Sequence, residues 1–153
     1  MKRLVVIAHD PSPNTQAMVR AVLEGAGDEA VDGVETTHVR PLDAGAEDAL
    51  DADAVLFGTT ENLGYMSGAL KDFFDRSFYD LLDKTDAMPY ALFIRAGKDG
   101  TGTRRAIESI CGGLNWKPVQ EPLICRGEWD EGFLDQCREL GMAMAAALEA
   151  ELI

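Results

Sequence analysis

The apolar residues of the chain fall into short runs that alternate with longer amphipathic stretches. Short apolar runs bounded by turn-forming residues are typical of buried strands, and apolar residues three or four positions apart are typical of helices. The pattern predicts five strands, over residues 3–8, 34–39, 54–57, 90–95 and 117–125. It also predicts five helices, over residues 15–25 and 47–50, from Ser67 onward, before Gly112-Gly113, and from about Glu131 onward.

A helix after each of five strands is the pattern of a parallel sheet with helices on both faces. Right-handed crossovers favour the strand order 2-1-3-4-5, in which the direction of winding reverses between strands one and three. We therefore expect an α/β fold, a three-layer sandwich around a five-stranded parallel sheet. No Ser/Gly linker, charge block or internal repeat divides the sequence, so residues 1–153 are predicted to form a single domain.

Net charge and hydropathy limit the kinds of partner and the cellular location that we expect. The formal charge of −13 argues against binding to nucleic acid, because phosphate contacts need a basic surface. That acidity suits docking on basic protein patches, and it also suits plain solubility. No apolar run is long enough to span a membrane, and the N-terminal run stops at His9-Asp10, too early for a signal peptide. A cytoplasmic protein is expected.

The sequence predicts neither a metal site nor a catalytic residue. Cys111, Cys125 and Cys137 lack the spacing of a metal-binding motif, so we expect buried free thiols. His9 and His38 lie near strand ends without a motif that ties either to a nucleophile.

The segment from residue 57 to residue 76 is the most informative part of the sequence. A predicted buried strand passes into a small-polar loop, Thr59 to Ser67, and a helix follows. The segment resembles the flavodoxin-like family, in the branch that contains flavin and quinone reductases. The matching residues are Gly64, Met66, Ser67, Gly68, Leu70, Lys71, Phe74, Asp75 and Arg76.

The loop after the first strand resembles the phosphate loop of flavodoxins, at Ser12, Asn14 and Thr15. A helix N-terminus offers free N–H groups and a positive dipole end, which suit a phosphate monoester. Three residues depart from the family pattern: Asp10 replaces a hydroxyl, Pro13 replaces a glycine, and Pro11 removes a further N–H. The same residues would also form a simple helix cap.

The resemblance implies FMN as the cofactor, held by three loops. Its phosphate would lie at Ser12, Asn14 and Thr15. Its isoalloxazine ring would contact the second loop, with Asn62 or Tyr65 against the ring, although Tyr65 would equally suit a solvent-facing position. The residues implied in the second loop are Thr59, Thr60, Glu61, Asn62, Leu63, Gly64, Tyr65 and Met66. The third loop would reach the pyrimidine edge through Gly97, Gly100 and Gly102, unless it is only a connection capped by Thr101 or Thr103.

The function implied is that of an NAD(P)H-dependent flavin or quinone reductase, working as a homo-oligomer. Two alternatives remain open at this point: an electron carrier that serves a redox protein partner, and an interaction module that has lost its ligand. A receiver-type signalling domain shares the strand order but needs an aspartate at the end of strand three, where the chain has Phe57-Gly58-Thr59.

Overall fold

The computed structural model describes residues Met1–Ile153, which form seven strands and five helices. The strands are β1 (Lys2–Ala8), β2 (Val34–Val39), β3 (Ala54–Asn62), β4 (Tyr65–Met66), β5 (Pro89–Ala96), β6 (Lys117–Pro118) and β7 (Leu123–Arg126). The helices are α1 (Pro13–Ala26), α2 (Ala46–Leu50), α3 (Gly68–Leu81), α4 (Thr101–Gly113) and α5 (Gly132–Glu149). None of these helices is both long enough and apolar enough to cross a membrane.

The sheet has the predicted parallel order. Its main path runs β2-β1-β3-β5, and both β6 and β7 pair with the free edge of β5. All these pairs are parallel, and only β4 runs antiparallel, against the end of β3. The predicted 2-1-3-4-5 order is therefore confirmed, with β5 in the fourth position and the β6–β7 segment in the fifth.

Helices cover both faces of the sheet. On one face α1 and α5 pack over an aliphatic core that includes Leu4, Val6 and Met18. The two helices approach closely at Gly141, where an added Cβ would lie 2.1 Å from the Val22 carbonyl oxygen. This close approach seats α1 directly on α5.

The other face carries the aromatic part of the core. Phe57 of β3 packs against Phe73 and Phe74 of α3 and stacks on Trp116, with ring centroids 5.9 Å apart. The Trp116 indole N–H donates to the buried hydroxyl of Thr85 at 2.8 Å. The core thus holds the start of α3 firmly against the end of β3.

The structure corrects the predicted end of the third strand. The prediction placed a loop after residue 57, but β3 continues to Asn62 and folds back on β4 as a hairpin. Polar residues extend the strand because β5 still pairs with it there, for example Thr60 with Arg95. The turn residues Leu63 and Gly64 both have positive φ, 54° and 77°, as a two-residue type I′ turn requires.

Two other predicted boundaries move. The last predicted strand, residues 117–125, is two short strands separated by a segment that contains Pro122, because proline cannot donate to a ladder. Helix α1 begins at Pro13 rather than at Thr15, since Ser12 caps the helix and proline is well suited to its first position. The three cysteines are buried free thiols, as predicted.

Candidate functional site

Three segments meet at the carboxyl edge of the sheet, because they follow three adjacent parallel strands. The first segment, residues 9–12, follows β1, the β3–β4 hairpin ends β3, and residues 97–100 follow β5. The backbone N–H of His9 donates to the Gly58 carbonyl at 3.0 Å, so the first segment starts directly beside β3. This edge, next to the point where the sheet reverses its winding, is where open α/β sheets bind ligands.

The first segment ends in a closed helix cap. The Thr15 N–H donates to the Ser12 hydroxyl at 3.2 Å, and the Ser12 N–H donates to the Thr15 hydroxyl at 3.0 Å. Pro11 and Pro13 have no N–H to offer. Among residues 11–15 the Asn14 N–H alone has no protein acceptor. The cap is thus formed, and the positive end of α1 keeps one free amide donor.

An ion pair between a buried carboxylate and a largely exposed guanidinium lies beside this cap. Asp10 is only 6% exposed, and its carboxylate accepts hydrogen bonds from Arg40 Nε at 2.8 Å and Nη2 at 3.5 Å. The hydrogen bond from Arg40 to Asp10, reinforced by their opposite charges, raises the pKa of the guanidinium. Burial lowers the pKa of His9 against the opposing effect of Asp10, so the imidazole is neutral at pH 7. The pair opens onto a cleft of about 260 Å³ that also contacts Pro41 and Ala69.

The base of the hairpin is tied to the start of α3. The hydroxyl of Thr59, which is buried, accepts a hydrogen bond from the Ser67 N–H at 3.0 Å and donates to the Thr60 carbonyl at 2.9 Å. Ser67 in turn caps α3, accepting from the Leu70 N–H at 3.2 Å. Met66 points into the aromatic core, so only its backbone faces the carboxyl edge.

The tip of the hairpin is open to solvent. Leu63 is fully exposed and Tyr65 is 41% exposed. The side chains of Thr60 and Asn62 bond to each other, with the hydroxyl donating to the amide oxygen at 2.8 Å. An added Cβ at Gly64 would meet no atom within 4 Å, so the backbone on this side is accessible.

The third segment packs directly on the hairpin. The Gly100 N–H donates to the Glu61 carboxylate at 2.5 Å. At Gly102, in the first turn of α4, an added Cβ would lie 2.5 Å from the Gly64 carbonyl oxygen. Neither Thr101 nor Thr103 caps α4, whose N-cap is Gly100. The hairpin and residues 97–102 therefore form one continuous surface.

Two contributors to the site were not among the predicted residues. Arg40 reaches Asp10 from the end of β2, and Asp10 was noted only as a departure from the phosphate-loop pattern. Both residues follow neighbouring parallel strands, which is the signal that brings their side chains to one edge. The predicted residues themselves are all at that edge, but Glu61 and Gly100 use one carboxylate oxygen and one amide to join the second and third segments.

Comparison with known proteins agrees with the topology. No protein-family model matches the chain. A curated flavodoxin from Aquifex aeolicus is 33% identical over 110 residues, which are 72% of this chain. The chain spans 58% of that relative's length.

Two solved structures are similar over nearly all of both chains. A flavodoxin from the domain Archaea superimposes with a TM-score of 0.80 at 18% identity, covering 95% of this chain and 98% of the other. A WrbA-like flavodoxin from Agrobacterium tumefaciens gives a TM-score of 0.75 at 21% identity, with 99% of each chain covered.

An α/β sheet of order 2-1-3-4-5, with its loops gathered at the carboxyl edge beside the reversal point, is the flavodoxin-like fold. The strand order and the sequence similarity together place this chain in the flavodoxin-like family. The resemblance based on residues 57–76 is confirmed.

Proposed function

We propose that this chain binds FMN and acts as an NAD(P)H-dependent reductase of flavins or quinones. The observation that carries the proposal is the continuous surface made by the β3–β4 hairpin and residues 97–102. It presents accessible backbone and few bulky side chains at the carboxyl edge of the sheet. Such a surface suits a flat, polar ring system.

The surface formed by the hairpin and residues 97–102 suits an isoalloxazine ring. Open space above Gly64 and Gly97 leaves backbone groups of both segments accessible. Tyr65 is half-exposed beside them and offers an aromatic face for stacking. Glu61 and Gly102 hold the two segments in contact, so the surface is organised without a ligand. We propose the backbone from Asn62 to Tyr65, together with Gly97, as the groups that hold the ring.

The first segment can hold the FMN phosphate, although it offers few hydrogen-bond donors. The N-terminus of α1, a helix of 14 residues, contributes its dipole and the free Asn14 N–H. The hydroxyls of Ser12 and Thr15 lie 2.9 Å apart, and the Thr15 hydroxyl also donates to the Ser12 carbonyl at 3.0 Å. By rotating its O–H bond, either hydroxyl could donate to a phosphate oxygen instead. We therefore propose Ser12, Asn14 and Thr15 as phosphate contacts, in a loop that supplies fewer amides than the usual glycine-containing one.

The protein's part in the reaction is to bind and orient. The isoalloxazine ring supplies the hydride and electron chemistry when it is bound. The hairpin backbone would orient the ring, Tyr65 would offer it an aromatic face, and the N-terminus of α1 would hold the phosphate. No general acid or base among the side chains is required for this role, which agrees with the absence of a predicted catalytic residue.

Absorbance spectra and steady-state assays test the proposal. Purified protein titrated with FMN is expected to bind it at micromolar concentration, with quenched flavin fluorescence and a shifted band in the visible spectrum. The loaded protein is then expected to oxidise NADH or NADPH when a quinone or riboflavin is the acceptor. Failure to take up FMN would refute the proposal and favour a ligand-free interaction module.

The second candidate is a flavodoxin-type electron carrier. It is favoured by the net charge of −13, which suits docking on a basic redox partner, and by the similarity to the Aquifex flavodoxin. The same assay separates the two roles. FMN uptake without oxidation of NADH or NADPH would support the electron-carrier role and refute the reductase role.

A homo-oligomer is a further part of the proposal. Leu63 is fully exposed at the tip of the hairpin, and Leu42 is 66% exposed. Single exposed leucines also occur on monomers, so the support for this part is the resemblance to the reductase branch, in which homo-oligomers are common. Light scattering coupled to size-exclusion chromatography measures the mass, and a monomer of 16.6 kDa would contradict this part alone.

A further inference from the structure

We infer that Arg40 determines the preference of the site for a phosphorylated flavin, by neutralising the Asp10 carboxylate beside the phosphate loop. The inference rests on the proposed function and deepens it. Arg40 is a positioning residue here, because it acts through Asp10 and needs no contact with the cofactor.

The charge balance of the first segment makes such a residue necessary. Asp10 carries the only formal charge among residues 9–15, because His9 is neutral at pH 7. Asp10 precedes the helix cap Ser12 by two residues, so their Cα atoms are at most about 7.6 Å apart. An unpaired carboxylate on a residue so near the cap would oppose the binding of a phosphate dianion there, and a mostly buried one is poorly screened by salt.

Arg40 is built to remove that repulsion. Its Nε and Nη2 both bond the carboxylate, and this two-point geometry fixes the guanidinium against Asp10. The side chain is 60% exposed, so Arg40 pays little desolvation and its outer edge remains in water. The only other acid that influences Arg40 is Asp43, which is exposed. The pair as a whole is neutral, and the α1 dipole with the Asn14 amide then determines the local potential.

The test compares FMN with riboflavin, which lacks the phosphate. Both flavins are titrated into the flavin-free protein, and quenching of flavin fluorescence gives each dissociation constant. In Arg40→Gln the ratio of FMN affinity to riboflavin affinity is expected to fall about tenfold or more, since Asp10 is then uncompensated. Riboflavin affinity is expected to change by less than about threefold.

Two further variants distinguish charge balance from a structural effect. Asp10→Asn/Arg40→Gln removes both charges and is expected to restore the ratio to within about threefold of that of the starting protein. Arg20→Gln removes an exposed positive charge farther along α1 that is in no ion pair, and it is expected to leave the ratio unchanged.

The outcomes are separable. If the starting protein binds neither flavin, the proposed function fails. If it binds FMN but Arg40→Gln lowers both affinities equally, or lowers the ratio no more than Arg20→Gln does, the inference about Arg40 is overturned while the proposed function stands. Failure of the double variant to recover the ratio would likewise overturn it.

Discussion

The carboxylate of Glu61 accepts a hydrogen bond from the backbone amide of Gly100, 39 residues further along the chain. The bond joins the end of β3 to the residue that caps α4. Two segments that follow adjacent strands are thereby held in one geometry before any ligand binds. A preorganised surface of this kind avoids part of the ordering cost of binding.

Replacing Glu61 with Ala should loosen this connection. We expect the free energy of unfolding to fall by about 1 kcal/mol, because a charge-assisted hydrogen bond at a partly exposed site is lost. Exchange of the Gly100 amide proton, followed by NMR, should speed up selectively. Glu61→Gln keeps an acceptor oxygen and should retain most of the protection. An unchanged exchange rate in Glu61→Ala would show that the bond does not hold the segment.

The close approach of α4 to the hairpin yields a second prediction. Gly102→Ala would push a Cβ against the Gly64 carbonyl, so we expect a loss of about 1–3 kcal/mol in stability and weaker FMN binding. Gly112→Ala is the matched control on the same helix, because its added Cβ would meet no atom within 4 Å. That substitution should be neutral or stabilise by up to about 1 kcal/mol. Denaturant unfolding and flavin titration of both variants measure the contrast, and equal effects would contradict it.

The sheet order could be predicted from sequence because it depends on a repeated local pattern. Each apolar run followed by an amphipathic stretch limits the connection to a right-handed crossover, and this leaves few arrangements. The same rule predicted which loops would meet, since the carboxyl ends of parallel strands share one edge. The confirmed family resemblance depended on residues 57–76, where loop and helix are contiguous.

The parts that could not be predicted depend on contacts between distant residues. Residues 59–62 are polar and look like a loop, yet they continue β3 because Thr59 and Thr60 still pair with β5 and the last two residues pair with β4. The pair of Asp10 and Arg40 spans 30 residues, and no local periodicity indicates it. Hydrogen bonds that close the Ser12 cap were predictable as an alternative to phosphate binding, but the sequence could not decide between the two.

The buried indole of Trp116 gives a prediction about polar groups in the core. Its N–H donates to the Thr85 hydroxyl, which donates to the Leu81 carbonyl at 2.9 Å. Thr85→Val leaves the indole N–H without an acceptor and should cost about 1–3 kcal/mol in the free energy of unfolding. Thr103→Val is the matched control, because the Thr103 hydroxyl is buried without a partner, so its removal should be neutral or stabilising. Urea denaturation measures the free energy of unfolding of both variants. A larger loss of stability in Thr103→Val than in Thr85→Val would contradict the role given to the Trp116–Thr85 hydrogen bond.

Alkaline pH should destabilise the protein through the buried thiol of Cys111. Burial, with a smaller contribution from Glu108, raises the pKa of Cys111 well above its ordinary value of 9.0. The unfolded chain therefore loses this proton near pH 9 while the folded chain keeps it, so the stabilising contribution is complete below pH 9 and declines as the pH rises above that value. Each such group should lower the free energy of unfolding by about 1.4 kcal/mol per pH unit in that range.

Cys111→Ala tests this pH dependence. Removal of the thiol should reduce the slope of the free energy of unfolding against pH above pH 9 by the contribution of one titrating group. The small cavity that the substitution leaves lowers stability at pH 7 as well, but it does not change this slope. The burial that raises the pKa of Tyr90 makes that phenol a second contributor, so some decline should remain in the variant. Urea unfolding at several pH values between 7 and 10.5 gives the two slopes, and the pH 7 measurement supplies the baseline for each protein. Identical slopes would mean that the Cys111 thiol titrates alike in the folded and unfolded chains, which would contradict its burial on the inner side of α4.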